Sequence, residues 1–344
     1  MIVTFVAPST SFPTGGAIAI YEFANGLARR GHEIHVVHVD LFGDRIAEVA
    51  DITWCPFDDR VHHHLPDDPA DPPVPDGDAV LCFDGRLPTG GGALAVFVQG
   101  YKVLPEDMED AIYRAPCPKI CTSRFLQRMV SEHGTALDQA VFVPYGLRHD
   151  KYHVTVPIDR RPPRVSMLYN NHPTKCAALG AEALAAARRR IPDLEVVLFG
   201  TSPPDDGVPA DMTFVLSPDQ DALVQDIYNT SRVFVSSALY EGFGLAPVEA
   251  MACGAALVTT DNGGADDYAV DGVTALVAPP LDVDALATRI VELLDDDDRR
   301  QEIAENGRRF VERFTWDVAA EHLERFLVDH LVPGNPAPTG RSVK

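Results

Sequence analysis

The sequence predicts two doubly wound α/β domains, each built on a mainly parallel sheet, with a C-terminal helical extension. Three observations lead there. Continuous apolar runs, starting with "IVTFVAP" (2–8), recur along the chain, as strands buried on both faces require. Stretches with apolar residues at helical spacing separate them, beginning with "AIAIYEFANGLARR" (17–30). The alternation breaks once, at the Pro- and Arg-rich "HDKYHVTVPIDRRPPR" (149–164), and then restarts, which implies a second sheet.

Each element has its local reason. "TGG" (14–16) ends the first strand, and Gly31 ends the helix over 17–30. "HEIHVVHV" (32–39) is the next strand, followed by strands at 79–84, 93–99, 119–122 and 140–144, with a helix over 123–132. "HHHLPDDPADPPVPDGD" (62–78), dense in Pro and Asp, is expected to be an exposed loop. Past the break, strands fit 165–169, 195–200, 213–217, 232–239, 256–260 and 274–279, with helices at 177–190 and 219–229. From about 282 the chain reads as helical to about 331. The domains are thus set at 1–155 and 156–331, the last helices being candidates for crossing back to the first domain. "VPGNPAPTGRSVK" (332–344) reads as a disordered tail.

The 344 residues, 46% hydrophobic, are enough for two cores. A net charge of −22 repels nucleic acid and anionic lipid, which excludes nucleic-acid binding and leaves only weak peripheral association with a membrane. No run approaches the roughly 20 apolar residues of a membrane helix. The opening "MIVTFVAPSTSFPTGG" lacks the basic region and cleavage site of a secretory signal, so a cytoplasmic protein is expected. Six cysteines fall at no paired metal spacing and are expected as reduced thiols.

One stretch fits no core. "YEGFGLAPVEAMACG" (240–254) sets Glu241 and Glu249 on either side of Gly-Phe-Gly in an apolar run. It follows the strand at 232–239, and Pro247 suits the first turn of a helix, where Glu249 is also expected. Gly242 and Gly244 allow close backbone approach, and the amides that follow point at an anion near the helix start. A first-turn Glu complements the helix dipole, which would account for Glu249 but not for Glu241. Two carboxylates can instead accept hydrogen bonds from a polyol. Thr14-Gly15-Gly16 marks a similar edge in the first half, although Gly-Gly alone also serves ordinary tight turns.

With Glu241 and Glu249 spaced by seven residues, and with "EAMACGAALVTTDNGGADDYAVDGVTALVAPPLD" (249–282) following, the chain resembles the retaining glycosyltransferases of family 4. "GGAIAIYEFANGLARRGHEIHVV" (15–37), "ICTSRFLQRMV" (120–130) and "VFVPYGLRHDKY" (141–152) are similar to that family's first domain, so the resemblance covers most of the chain. It implies a GT-B fold, two facing Rossmann-like domains with the active site between them. It places Glu249 on the ribose of a nucleotide-sugar donor. Glu241 and the backbone of Gly242, Phe243, Gly244 and Leu245 fall on the sugar and diphosphate. Gly15, Gly16 and Lys175 fall on the phosphates, and Phe199 to Ser202 and Leu216 to Pro218 border the base. Where the family carries an Arg before the lysine, Asn170 and Asn171 stand here; amides bond a phosphate without neutralising it. Where many members carry His on the strand facing the sugar, this chain has Gln99, as in a subgroup that includes rhamnosyltransferases of surface-polysaccharide pathways.

The implied reaction needs no cofactor beyond the donor and no metal. The diphosphate departs, the acceptor hydroxyl attacks the same face, and charge stabilisation outweighs any dedicated base. The acceptor is a hydroxyl of a glycan, a lipid-linked sugar or a small molecule. No Ser-His-Asp set or hydrolase carboxylate pair stands out. Asp76-Gly77-Asp78 matches a metal-binding Asp-x-Asp only in letters, and His62-His63-His64 has no further ligand spacing. Rival readings are an epimerase or hydrolase of the same fold, and a non-catalytic partner subunit of a glycosyltransferase. A nicotinamide dehydrogenase fits worst, since the first glycine turn lacks the dinucleotide fingerprint and Asp40 only weakly supplies its acid.

Overall fold

The computed structural model describes residues 1–40, 46–67, 73–83, 88, 90–204 and 209–332. It divides into two units, Met1–Gly146 together with the segment from Thr315 onward, and Leu147–Phe314. The sequence reading sets this division at 155/156, with the last helices, up to 331, as candidates for crossing back to the first domain. The Pro/Arg segment is no linker, because Arg161 within it is 1% exposed and anchored in the second unit. Its guanidinium donates to the carbonyls of Val156 (2.7 Å), Ser231 (2.8 Å), Tyr228 (3.1 Å) and Cys253 (2.6 Å).

In the first unit, β1 (Ile2–Pro8), α1 (Gly15–Arg29), β2 (Glu33–Val39), β3 (Val61–His64), β4 (Ala79–Cys82), β5 (Ala93–Val98), α2 (Glu106–Arg114), β6 (Lys119–Cys121), α3 (Arg124–Glu132) and β7 (Ala140–Phe142) follow in chain order. The sheet runs β3-β2-β1-β4-β5-β6-β7, with every pairing parallel. Strand order reverses between β1 and β4, the kind of switch point at which doubly wound sheets bind ligands. Thr14 caps α1 there, its hydroxyl accepting from the Ala17 N–H at 3.2 Å. Helix α2 was not expected from the sequence. Its Glu109 carboxylate accepts the N–H groups of Lys102 (2.9 Å) and Val103 (2.8 Å), closing the preceding loop.

Residues 62–64, expected in an exposed loop, instead join Val61 in edge strand β3, with His35 opposite His62 and Val37 opposite His64. A triple histidine carries no strand pattern, but these rings find partners across the ladder. His38 Nε2 lies 2.9 Å from His63 Nδ1, and His35 Nδ1 lies 2.9 Å from His64 Nε2. Behind them the Tyr21 ring stacks on Trp54 and meets Phe57 edge-on, closing an aromatic wall under the strand pair.

The second unit holds β8 (Arg164–Leu168), α4 (Ala177–Arg190), β9 (Glu195–Gly200), β10 (Thr213–Leu216), α5 (Gln220–Ala222), β11 (Val233–Ser236), α6 (Leu245–Ala252), β12 (Ala256–Thr260), β13 (Ala275–Ala278), α7 (Val283–Asp295) and α8 (Asp297–Val311). Helix α5 runs on through a π turn over Leu223–Ile227 and a 3-10 turn over Tyr228–Thr230. The sheet order is β10-β9-β8-β11-β12-β13, again wholly parallel, with its switch point between β8 and β11. Its core packs α4 and α7 residues such as Leu184 and Ile290 on Val165, Val235 and Val258.

The chain then returns to the first unit as α9 (Trp316–Phe326) and a π turn over Leu327–Leu331. Helix α9 lies so close on α1 that a Cβ on Gly26 would meet the Ala320 Cβ at 2.7 Å. Buried Glu324 accepts hydrogen bonds from Arg30 Nε (2.9 Å) and His32 Nε2 (2.7 Å). The tail expected over 332–344 lies, beyond residue 332, outside the described residues.

The histidine ladder makes the first unit sensitive to acid. Burial first, and neighbouring histidines second, push His38 down to about 3 and His63 down to about 4. Both stay neutral when folded, whereas the unfolded chain protonates them near pH 6.5. The unfolded state therefore binds more protons below that pH, and stability falls as pH drops from about 6.5 toward 4, by about 1.4 kcal/mol per pH unit and histidine at most. Urea unfolding at pH 7, 6, 5 and 4 will show this loss, and His63→Gln will have a shallower slope across the same window.

Candidate active site

At the second sheet's switch point, the loops after β8 and β11 are joined by hydrogen bonds to main-chain carbonyls. The Leu239 N–H donates to the Thr174 carbonyl at 2.7 Å, and Ser237 Oγ donates to the Lys175 carbonyl at 3.2 Å. This brings together two residues 66 positions apart. Lys175 Nζ lies 2.7 Å from Glu241 Oε1 and 2.8 Å from Oε2, with side chains 24% and 18% exposed. The sequence reading gave them separate tasks, and the structure pairs them.

The loop after β12 supports the pair from the other side. The Glu241 N–H donates to the Asn262 carbonyl at 3.1 Å, and a Cβ on Gly264 would meet the Glu241 carbonyl oxygen at 2.5 Å. Gly244 sits at φ +93° at the start of α6, where a Cβ would lie 2.4 Å from the Tyr268 hydroxyl, so only glycine fits. No side chain caps α6. Of its first residues Pro247 has no N–H, so the Leu245 and Ala246 amides are the ones left without a partner within the helix, an arrangement suited to an anion beside the glycine loop.

Several expected site residues turn out differently. Glu249 is not in the first turn of α6, which holds no acidic residue; it is the fifth residue of the helix and 7% exposed. Its carboxylate accepts from the Tyr228 hydroxyl at 2.9 Å, and the Tyr152 phenol is a second neighbour that favours its charged form. Burial raises its affinity for a proton, and the two phenols oppose that rise. The Phe199 ring faces the core against Tyr228 and Phe234, whereas Leu216 at the end of β10 is exposed. Phe243 is buried against Tyr268 and Phe314, and Gly242 is buried with it; half-buried Leu245 follows at the start of α6. Asn170 and Asn171 are exposed; Asn170 Oδ1 accepts from the His172 N–H (2.8 Å), and Asn171 Nδ2 donates to the Pro203 carbonyl (3.1 Å).

In the first unit, Gln99 just past β5 reaches the start of α1. Its Nε2 donates to the Gly16 carbonyl at 3.2 Å, and a Cβ on Gly16 would meet Oε1 at 2.8 Å, so a larger residue there would push the glutamine amide aside; Gly15 precedes it as the first residue of α1. Asp78 of the Asp-x-Asp match accepts the Ile2 N–H at 2.8 Å, a structural contact. Among the described residues, no three His, Cys, Asp or Glu side chains are grouped to hold a metal ion, and no helix is long and apolar enough to cross a membrane. A cavity of about 600 Å³ lies at the opposite, amino edge of the second sheet, away from these groups. Its Arg164 and Arg188 are engaged by Glu195 (2.7 Å) and Asp211 (2.9 Å).

Comparison with known proteins adds to this geometry. Residues 180–310 match the family model described as "Glycosyl transferases group 1". The matched segment lies inside the second unit and includes Glu241, the glycine loop and Glu249. Among curated relatives, the chain is 30% identical over 162 residues to alpha-maltose-1-phosphate synthase of Mycolicibacterium smegmatis, covering 41% of this chain and 42% of that protein. It is 37% identical over 100 residues to O-antigen chain mannosyltransferase B of Escherichia coli, covering 29% and 25%. The chain thus spans less than half the length of these relatives. The fold is shared across nearly the whole chain. A glycosyltransferase from Rickettsia africae matches with a TM-score of 0.74 at 16% identity, covering 97% of this chain and 99% of that one. Anabaena Alr3699/HepE, solved in complex with UDP-glucose, matches with 0.72 at 17% identity over 95% and 99%.

The Lys175–Glu241 pair can be weighed directly. Lys175→Met strands a mostly buried carboxylate, which costs about 1–3 kcal/mol in urea unfolding. Lys175→Met/Glu241→Gln will recover much of that, giving a coupling energy well above the ~0.5 kcal/mol of an exposed pair.

Proposed function

We propose that the chain is a retaining glycosyltransferase of family 4 that moves a sugar from a nucleoside-diphosphate-sugar to a hydroxyl acceptor without a metal ion. The observation that carries this reading is the carboxyl edge of the second sheet, where an uncapped helix start, a glycine loop and Lys175 converge. Group 1 glycosyltransferase similarity over the same segment supports it, and so does a fold relative solved with UDP-glucose.

The donor's diphosphate sits on the first turn of α6 and on Lys175, which exchanges Glu241 for phosphate oxygen. Glu249 receives the ribose hydroxyls. Glu241 and the backbone of Gly242 to Leu245 hold the sugar. Exposed Asn170 and Asn171 supply hydrogen bonds but no charge to the phosphates. The bond from the anomeric carbon to the diphosphate oxygen breaks, and the acceptor oxygen forms its bond on the same face. The acceptor proton passes to the departing phosphate oxygen, so the step balances without a protein base. The amides and Lys175 act on the charge that develops on the leaving group.

The test is a panel of UDP-, GDP-, ADP- and dTDP-sugars incubated with and without hydroxyl acceptors. Nucleoside diphosphate release that requires an acceptor, yields a product with the donor's anomeric configuration by NMR, and persists in EDTA is expected. Release from donor alone indicates a hydrolase or epimerase. Glu249→Ala will weaken nucleoside diphosphate binding at least tenfold by calorimetry, about 1.4 kcal/mol or more. If the wild type binds none of these nucleotides, the proposal fails.

A further inference from the structure

We infer that Tyr228 and Tyr152 are positioning residues that aim the Glu249 carboxylate at the ribose diol of a nucleoside diphosphate. The inference rests on the glycosyltransferase reading and concerns side chains distant from it in sequence. Glu249 is a carboxylate in an otherwise apolar, small-residue helix, where an apolar side chain would cost less to bury. Its neighbours are two phenols rather than a cation. Tyr228, fully buried, donates to Oε2 at 2.9 Å, and its ring is wedged edge-on between Phe199 (5.9 Å) and Phe234 (5.7 Å). Tyr152 is the second phenol beside the carboxylate and also favours its charged form. Its hydroxyl oxygen accepts from Gln220 Nε2 at 3.0 Å, and Lys151 holds the other end of that amide.

This arrangement does what a diol receptor needs. The Tyr228 phenol, with Tyr152 beside it, occupies part of the roughly four acceptor positions of a carboxylate and leaves others open. Phenols fix the plane of the group without cancelling its charge, so its strength as an acceptor is kept. The titratable groups facing Glu249 are Tyr152, Tyr228 and Cys253, all neutral near pH 7, and the nearby Arg161 is engaged with the Cys253 carbonyl. Burial favours the protonated acid and the phenols favour the anion. Removing a phenol hydroxyl therefore makes the carboxylate easier to protonate.

Tyr228→Phe and Tyr152→Phe each delete one oxygen from a packed ring. Calorimetry with UDP and GDP, and with their 2′-deoxy forms, between pH 5 and 8 tests the inference. The wild type is expected to prefer the ribose forms by about tenfold or more, as loss of a hydrogen bond to a charged group implies. Each variant will lose most of that preference while binding the 2′-deoxy forms as the wild type does. The pH below which the preference disappears will also move upward. Variants that keep both the preference and its pH midpoint overturn the inference, whatever happens to their thermal stability, because a mere strut would do just that. If Tyr228→Phe does not fold, Tyr152→Phe decides alone. A wild type that binds these nucleotides with no ribose preference overturns the inference together with the Glu249 assignment. A wild type that binds none overturns the proposed function with it.

Discussion

The second unit's chemistry depends on one constraint, the reversal of strand order between β8 and β11. In a parallel sheet all loops of one edge lie on the same side, but only at a reversal do the two neighbouring loops part and leave a crevice. Here the loops do not simply diverge. Main-chain bonds from Leu239 to Thr174, and the Ser237 hydroxyl on the Lys175 carbonyl, hold them at fixed spacing. The Lys175–Glu241 pair is a consequence of that spacing. Its charges largely cancel, so the positive character of the edge comes from the uncapped amides of α6, which cost no reorganisation when an anion arrives.

Helix α6 is also fixed from behind. Arg161 lies at its far end, donating to the carbonyl of its C-cap residue Cys253, and burial pulls this guanidinium down to about 10. A cation at the C-terminus complements the macrodipole. The same side chain ties down carbonyls at Val156, Tyr228 and Ser231, so the turn that carries Tyr228 and the helix that carries Glu249 share one anchor. The hydrogen bond between those two residues is set by backbone on both sides, with little left to side-chain freedom.

Much of this was legible in the sequence wherever one physical signal dominated. Continuous apolar runs marked the buried strands, because a strand covered on both faces admits little else. The glycine loop after β11 was legible because Gly-Phe-Gly between two acids fits no core. Edge strand β3 was not, since three histidines form a strand only by pairing with His35 and His38 of a neighbour some 25 to 30 residues away. The units divide at 146/147, ahead of the break that proline and arginine near 160 suggest, and Arg161 within that break is among the most deeply buried side chains. The first-turn position expected of Glu249 failed by less than a turn. That was enough to exchange a helix-dipole role for a buried carboxylate with phenolic partners, and no spacing rule reveals Tyr152 or Tyr228 as those partners.

The surface charge gives the same site a further physical meaning. A chain with net charge −22 and five lysines repels a dianionic diphosphate at long range, so attraction has to be local. Fixed amides and one lysine within a few ångströms supply it, and both act inside the screening length. In the free protein, Glu241 keeps Lys175 extended toward the glycine loop; without that partner a flexible ammonium on a four-carbon stem would move off into solvent. The carboxylate thus orients the cation while weakening its field. On the reading proposed here, diphosphate takes over the lysine and leaves Glu241 free to accept from the sugar, so one partner exchange readies both groups at once.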